Sequence, residues 1–207
     1  MLVGWPERPG QDNLPFVASD IKELNNLLSP HIQTTVVQIP GRENVLSALL
    51  EHQIVHFSCH GYSSATNPSE SRLLLNDWQN SPLTVSDLTA SNIQLGRFAF
   101  LSACHSASSR DFGLLSESIN LSSAIQLAGY PSVIGTLWQV TAKHSAEIAK
   151  DVYSRMLVGN ELDTERSAES LNWAMRRLRD RTRVCPGFSM MVPDDPLIWA
   201  PFIHLGV

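Results

Sequence analysis

Short apolar runs alternate along the chain with longer amphipathic stretches. Four runs are rich in β-branched or aromatic residues and are barely interrupted by charge: Thr34–Ile39, Ile54–Ser58, Phe98–Ser102 and Ser132–Leu137. Continuous apolar runs of this length are typical of strands that are buried on both faces of a parallel sheet. The tail Leu197–Leu205 is also apolar and is predicted to close one edge of the sheet, because Pro201 restricts it to an edge or a bulge.

The stretches between the runs have the spacing of amphipathic helices. Ile21, Leu24, Leu27 and Leu28 repeat at helical intervals after Ser19, the predicted N-cap. Further helices are predicted over Val45–Leu50, from Thr84 onward, and over Ile119–Leu127, Lys143–Leu157 and Thr164–Arg183. Strands that alternate with helices predict an α/β fold, a three-layer α/β/α sandwich with a mostly parallel sheet, formed by residues 1–207 as one domain.

Composition narrows the class of protein without identifying it. With 207 residues, 43% of them hydrophobic and 17% charged, the chain can build a sizeable core without a disulfide or a structural metal. The net charge of −5 argues against a nucleic-acid partner, since such proteins usually carry a basic face. The first residues show no secretory signal, and no run approaches the ~20 apolar residues of a membrane span. The three cysteines lack disulfide-framework spacing, so we expect reduced thiols and a cytoplasmic location.

Two long loops mark one edge of the predicted sheet. Tyr62–Arg72 and His105–Leu115 both exceed the usual ~4–6 residues of a connection, and each directly follows a predicted strand. In an open α/β sheet, ligands bind at the carboxyl ends of the strands. These loops therefore predict the position of the functional site.

A histidine and a cysteine follow the same two strands, in the segments SCHG (Ser58–Gly61) and SACH (Ser102–His105). If the strands are neighbours, His60 and Cys104 emerge together at one sheet edge. An imidazole beside a thiol can accept its proton and later protonate the leaving amine. The N–H groups of Gly61 and Cys104 could donate to the developing oxyanion. The residues alone leave this interpretation about as probable as a cysteine that only packs in the core.

Six segments resemble the CHAT family, caspase-like cysteine proteases related to separases and caspases. Two are the strand motifs IVHFSCHG (Ile54–Gly61) and FAFLSACHSA (Phe98–Ala107). The others are SRLLLNDW (Ser71–Trp78), LTVSDL (Leu83–Leu88), LAGYPSVIGTLWQV (Leu127–Val140) and DPLIWAPFIHLG (Asp195–Gly206). Their order, and the spacing between the histidine and the cysteine, are also similar to those of the family.

The resemblance implies a caspase-type fold and a His–Cys dyad, with His60 as general acid/base and Cys104 as nucleophile. It also implies that the N–H groups of Gly61 and Cys104 hold the oxyanion, and that the chain is an endopeptidase acting on protein substrates through an acyl-enzyme without a cofactor. Relatives are commonly controlled by a neighbouring sensor or repeat domain. We therefore expect little activity in isolation, and the chain to be either a C-terminal piece of a longer protein or an independent domain.

Two departures from the family pattern concern substrate recognition. Ala107 replaces a glycine found in many relatives, and no acidic residue follows Leu137–Val140 (LWQV), where many active relatives carry one that helps recognise a basic side chain. The family's specificity pocket is therefore not expected to transfer. Asp77 and Glu117 are the nearest acidic substitutes, and Trp138 is expected either to fill the core or to line the substrate cleft.

Other interpretations stay open at this point. The main alternative is a catalytically silent CHAT-fold signalling or scaffold module, and a hydrolase of small thioesters or amides would use the same dyad. Zinc binding by Cys59–His60 with Cys104–His105 is disfavoured, because adjacent Cys-His pairs cannot easily point at one ion. The arginine-rich segment Arg176–Arg183 is interpreted as a solvated helix face, since acidic neighbours dilute its charge.

Overall fold

The computed structural model describes residues 1–6, 16–62, 64, 66–102, 104–106, 121–138, 140–182 and 195–206. Within these residues the strands are β1 (Leu2–Trp5), β2 (Val36–Val37), β3 (Ile54–Tyr62), β4 (Arg72–Leu74), β5 (Leu83–Thr84), β6 (Phe98–Leu101), β7 (Cys104–Ser106), β8 (Ser132–Thr136), β9 (Leu157–Val158), β10 (Glu161–Leu162) and β11 (Phe202–Leu205). The helices are α1 (Val17–Leu28), α2 (Arg42–Leu49), α3 (Val85–Ala90), α4 (Leu121–Ala128), α5 (Ala142–Met156), α6 (Ser167–Thr182) and α7 (Pro196–Trp199), with 3-10 turns at Pro68–Glu70 and Thr164–Arg166.

The main sheet has the strand order β11-β8-β6-β3-β1-β2. All neighbours along this order are parallel except β11, which runs antiparallel to β8 at one end. The mostly parallel sheet predicted from the apolar runs is confirmed. The C-terminal tail lies at the sheet edge, with Pro201 immediately before β11, where its missing N–H costs no ladder hydrogen bond.

Two hydrophobic cores cover the two faces of the sheet, so the predicted three-layer sandwich is confirmed. Helices α2, α3 and α4 pack on one face together with the side chains of Val55, Phe57 and Cys59 from β3. Helices α1, α5 and α6 pack on the other face, where Phe98 and Phe100 of β6 meet Tyr153. The central strands are therefore buried on both sides, which is why apolar residues follow one another without alternation in β6.

Three local predictions differ from the structure. β1 was not predicted as a strand, although it lies between β2 and β3 and Val3 is fully buried. The predicted strand Thr34–Ile39 is reduced to β2, because it pairs only with β1 at the end of the sheet. The N-cap prediction for Ser19 is wrong, since α1 begins at Val17 and the Ser19 hydroxyl donates to the carbonyl of Phe16.

β3 is longer than predicted and continues past Ser58 to Tyr62. Its first half lies between β1 and β6 in the main sheet. Its second half, His60–Tyr62, lies between β7 and the antiparallel β4, which in turn pairs with β5. We call the four paired segments β5, β4, β3 (His60–Tyr62) and β7 the sheet extension. It lies at the carboxyl end of the parallel strands, where the functional site was predicted.

Candidate active site

His60 and Cys104 occupy facing positions on two neighbouring parallel strands. In the sheet extension, the paired Cα positions of β3 and β7 are His60 with Cys104, Gly61 with His105 and Tyr62 with Ser106. Neighbouring strands lie ~4.8 Å apart, so the backbones of the two residues are one strand spacing from each other. The two strands are neighbours, as the dyad hypothesis requires. The catalytic roles of the two residues stay predictions.

The SRLLLNDW segment forms the other flank of His60. β4 pairs antiparallel with the end of β3, so that His60 faces Leu74, Gly61 faces Leu73 and Tyr62 faces Arg72. Both leucines are fully buried, which anchors the hairpin to the core. The predicted long loop from Tyr62 to Arg72 is therefore closed at its base, because these two residues are themselves a strand pair. The backbone of Gly61 lies inside this ladder and not at a strand end, and its role as an oxyanion donor stays a prediction.

Alternation along β3 places successive side chains on opposite faces. Cys59 is fully buried in the core formed with α2, α3 and α4, as expected for a packed strand residue. His60 follows on the opposite face and is half-buried, with its Nε2 atom shielded from solvent. Cys59 and His60 thus point to different sides of the sheet, which removes them as a joint pair of metal ligands. Among the residues that the structure describes, no cluster of three or more His, Cys, Asp or Glu side chains could hold a metal ion.

A buried histidine lies four residues before His60 on the same strand face. His56 is fully buried, and its ring stacks on Phe100 with the centroids 5.2 Å apart. Its Nδ1 is 3.5 Å from the hydroxyl of Tyr153, and its Nε2 is 3.7 Å from a carboxylate oxygen of Asp20, beyond hydrogen-bond distance. Burial, and then the negative charge of Asp20, raise the pKa of Tyr153 far above its ordinary value, so the phenol stays protonated.

Polar side chains continue from this histidine toward the site. Ser58, Ser102 and Ser145 are buried, and with Asp20 they line a small cavity of about 10 Å³ between the sheet and helices α1 and α5. A cavity of this size holds about one water molecule. Sequence reasoning missed this polar layer. The available signal was a polar residue at every second position of an otherwise apolar strand, at 56, 58 and 60.

Asp77, predicted as a candidate substrate-binding residue, lies at the N-terminus of α2. Its two carboxylate oxygens accept hydrogen bonds from the backbone N–H of Arg42 at 3.1 and 2.9 Å. Helix N-termini leave N–H groups without intrahelical partners and carry partial positive charge, so a carboxylate there stabilises the helix. The Asp77 side chain therefore caps α2, and its role in substrate binding stays a prediction.

Trp138 lies two residues after the carboxyl end of β8, on the same edge of the sheet as the extension. Its indole N–H donates to the carbonyl of Leu197 at 3.3 Å, and the N–H of Leu137 donates to the carbonyl of Pro201. The half-buried indole is thus held against the C-terminal segment, and its contact with a substrate stays a prediction. Glu117, Ala107 and the loop that follows β7 lie outside the described residues.

The position after the LWQV turn is used to start a helix. Thr141 is the N-cap of α5, and its hydroxyl accepts from the backbone N–H of His144. This is the region in which many active relatives carry an acid that helps recognise a basic side chain. In this chain a neutral cap takes its place.

Sequence reasoning also missed a cation in the sheet extension. The guanidinium carbon of Arg72 lies 4.7 Å from the ring centroid of Tyr62, its partner across the strands, and 5.8 Å from that of Trp78. The charged recognition groups considered from the sequence were all acidic, so an arginine beside two aromatic rings was not expected. All three side chains are half-buried.

Comparisons with known proteins agree with this architecture. The model of the CHAT domain family matches residues 1–207. Among solved structures, the chain is similar to separase in the crystal structure of the Saccharomyces cerevisiae separase–securin complex, with 16% identity and a TM-score of 0.60. The similarity covers 100% of this chain but only 11% of the separase chain, and at this identity it shows the fold alone. No curated protein matches the chain. Within the described residues, no helix is long and apolar enough to cross a membrane.

Proposed function

The chain belongs to the CHAT domain family, and on this premise we propose that it is a cysteine endopeptidase with Cys104 as nucleophile and His60 as general acid/base. The proposal rests on the register of β3 and β7, in which His60 is paired with Cys104. Positions paired across neighbouring strands share one face of a pleated sheet and lie about 5 Å apart. A thiol and an imidazole that start from such positions can exchange a proton directly.

In the proposed reaction, His60 accepts the thiol proton of Cys104, and the thiolate attacks the carbonyl carbon of the scissile peptide bond. The oxyanion that forms accepts hydrogen bonds from the backbone N–H groups of Gly61 and Cys104. The imidazolium then protonates the leaving amine, and the C–N bond breaks to give a thioester. A water molecule, deprotonated by His60, attacks this thioester and releases the new carboxyl end of the substrate together with the thiol.

The surroundings of His60 support this role. The imidazole follows two buried polar residues, His56 and Ser58, on the face of β3 that packs against α1 and α5. We further propose that a cytoplasmic, reducing setting keeps Cys104 as a thiol, and that a protein partner or an attached sensor domain regulates the site. The similar separase structure was solved as a complex with securin.

The test is covalent labelling of the purified chain with a cysteine-directed peptide probe, mapped by mass spectrometry. We expect the adduct on Cys104, complete loss of it in Cys104→Ala, and unchanged labelling in the control Cys185→Ala. New protein N-termini in a lysate should appear with the wild-type chain and be absent with Cys104→Ala. Identical sets of termini from the two proteins, together with no adduct on Cys104, would contradict the proposal.

A second candidate function is a silent CHAT-fold scaffold, which the neutral cap Thr141 favours because the acid used by many active relatives is missing there. The scaffold hypothesis predicts that Cys104→Ala leaves every partner interaction and phenotype unchanged. The protease hypothesis predicts that partner processing stops.

A further inference from the structure

The guanidinium of Arg72 lies against two aromatic rings beside the proposed dyad. Its guanidinium lies 4.7 Å from the ring of Tyr62 and 5.8 Å from that of Trp78. An arginine stacked against aromatic rings keeps its charge and loses much of its rotational freedom before any ligand arrives. Less conformational entropy is then lost on binding, so the group is preorganised to recognise a ligand.

Within the part of the chain that the structure describes, no carboxylate lies at ion-pair distance from Arg72. Other arginines differ in this respect: Arg42 pairs with Asp87, and Arg181 pairs with Asp151. The Nε atom of Arg72 is buried and has no hydrogen-bond acceptor among the described residues. Buried donors are nearly always satisfied, so this guanidinium has unused capacity for an acceptor. Its planar fork matches a carboxylate, which can accept two parallel hydrogen bonds.

The register of the sheet extension gives the distance from Arg72 to the dyad. Arg72 is paired with Tyr62, one strand across from His60 and two positions further along the same face. With ~4.8 Å between strands and ~3.4 Å per residue, its Cα lies about 8 Å from that of His60 and about 12 Å from that of Cys104. An extended substrate advances ~3.3 Å per residue. A side chain within about three residues of the cleaved bond can therefore reach the guanidinium.

From these observations we propose that Arg72 is a specificity residue, which binds an aspartate or glutamate side chain of a protein substrate close to the scissile bond. This inference rests on the proposed protease function and adds the class of substrate. The charge preference is opposite to the basic one considered in the sequence analysis, and the capping role of Asp77 agrees with it, because that carboxylate is already engaged.

The experiment measures peptide binding to the Cys104→Ala chain, which retains Arg72 but lacks the proposed nucleophile and so should not cleave the peptides. Immobilised protein is offered random heptapeptide pools that carry one fixed Asp, Asn or Lys at the central position. We expect the Asp pool to be retained about ten- to hundredfold better than the Asn pool, as for a charge-assisted hydrogen bond. Added salt should reduce this preference.

Variants made in the same background assign the effect to one side chain. Arg72→Gln should abolish the preference for Asp, Arg72→Lys should retain a weaker one, and Arg72→Glu should favour the Lys pool. The matched control is Arg176→Gln, at an exposed position on α6, which should change nothing. Thermal melts of each variant show whether it is folded, and the comparison of pools on intact Arg72 stands even if a variant unfolds.

Equal retention of the Asp and Asn pools by the Cys104→Ala chain would overturn the inference, as would an Asp preference that survives in folded Arg72→Gln. Neither result bears on the proposed protease function, which is tested separately by labelling of Cys104. Conversely, the chain could show an Arg72-dependent preference for Asp while its Cys104 never reacts with a probe. That result would support Arg72 as an acid-binding site and contradict the proposed protease function.

Discussion

Each half of β3 contains a histidine, and the surroundings of the two histidines differ. His56 lies in the first half, between β1 and β6, and is fully buried against Phe100 and Tyr153. His60 lies on the same face in the second half, between β4 and β7, where it is half-buried and paired with Cys104. The flanking strands therefore set the surroundings: the main sheet makes His56 part of the core, and the sheet extension leaves His60, the proposed general acid/base, half-buried.

The largest expected effect concerns the second half of the strand. His60→Ala should lower the rate of peptide cleavage, or of acylation by a peptide probe, by about 10²–10⁴-fold, because the thiol then lacks its general base. The melting temperature should change little, since the side chain is half-buried. The measurement is single-turnover acylation, with the exposed His31→Ala as control. A His60→Ala chain that reacts as fast as the wild type would show that this histidine has no catalytic role.

The first half of the strand should show the reverse pattern. His56→Ala is expected to lower the free energy of unfolding by about 3 kcal/mol, because it leaves a cavity and removes the neighbour of the buried Asp20 carboxylate. The folded fraction should still be labelled at Cys104. Denaturant unfolding checks the first statement, with His31→Ala as the matched surface change. A loss below about 0.5 kcal/mol, the size of an ordinary surface effect, would mean that His56 does not organise the core.

A smaller effect is expected at the cap of α2. Asp77→Ala should cost about 1 kcal/mol of stability, since the N–H of Arg42 loses its acceptor. Substrate preference should stay the same. Chemical denaturation and the pattern of cleavage sites test the two statements, and Asp180→Ala, exposed on α6, is the control. Cleavage sites that changed while stability did not would support Asp77 as a substrate-binding residue.

The smallest effect should come from a histidine at the other end of the sheet. His204 Nε2 lies 2.9 Å from the hydroxyl of Ser132 and 3.0 Å from that of Ser167. Burial lowers the pKa of His204 in the folded chain, so the unfolded chain binds more protons between that value and the ordinary ~6.5. Stability should therefore be highest above pH ~6.5 and fall as the pH decreases through this window.

The check is the free energy of unfolding of the wild type and of His204→Gln, measured between pH 5 and 8. The substitution should flatten this part of the profile. An unchanged slope would assign the pH dependence to other groups.

Sequence patterns correctly predicted the parts of the fold that local periodicity determines. The stripe Ile21–Leu28 and the run Ile54–Ser58 have the spacing of a helix and of a buried strand, and both elements are present. The sheet extension could not be predicted from the sequence, because His60 and Gly61 look like the end of a buried strand. Only their pairing with β4 and β7 keeps that segment extended.

For the candidate site, contacts between residues that are distant in the chain could not be predicted from the sequence. The positions of His60 and Cys104 could be predicted, since each follows an apolar run at the carboxyl edge. Asp77 was named as an acidic substitute, but the hydrogen bond of its carboxylate to a helix start 35 residues earlier could not be predicted. Arg72 acquires its surroundings from Tyr62 and Trp78 through strand pairing, which no local pattern encodes.

The interaction between His60 and Cys104 can be tested most directly by the pH dependence of the alkylation rate of Cys104, followed by mass spectrometry. We predict an apparent thiol pKa below the ordinary ~8.5 in the wild type, and a return to about that value in His60→Ala. His105→Ala, one residue beyond the nucleophile, serves as the control and should keep the lowered pKa. The same alkylation profile in the wild type and in His60→Ala would contradict the account.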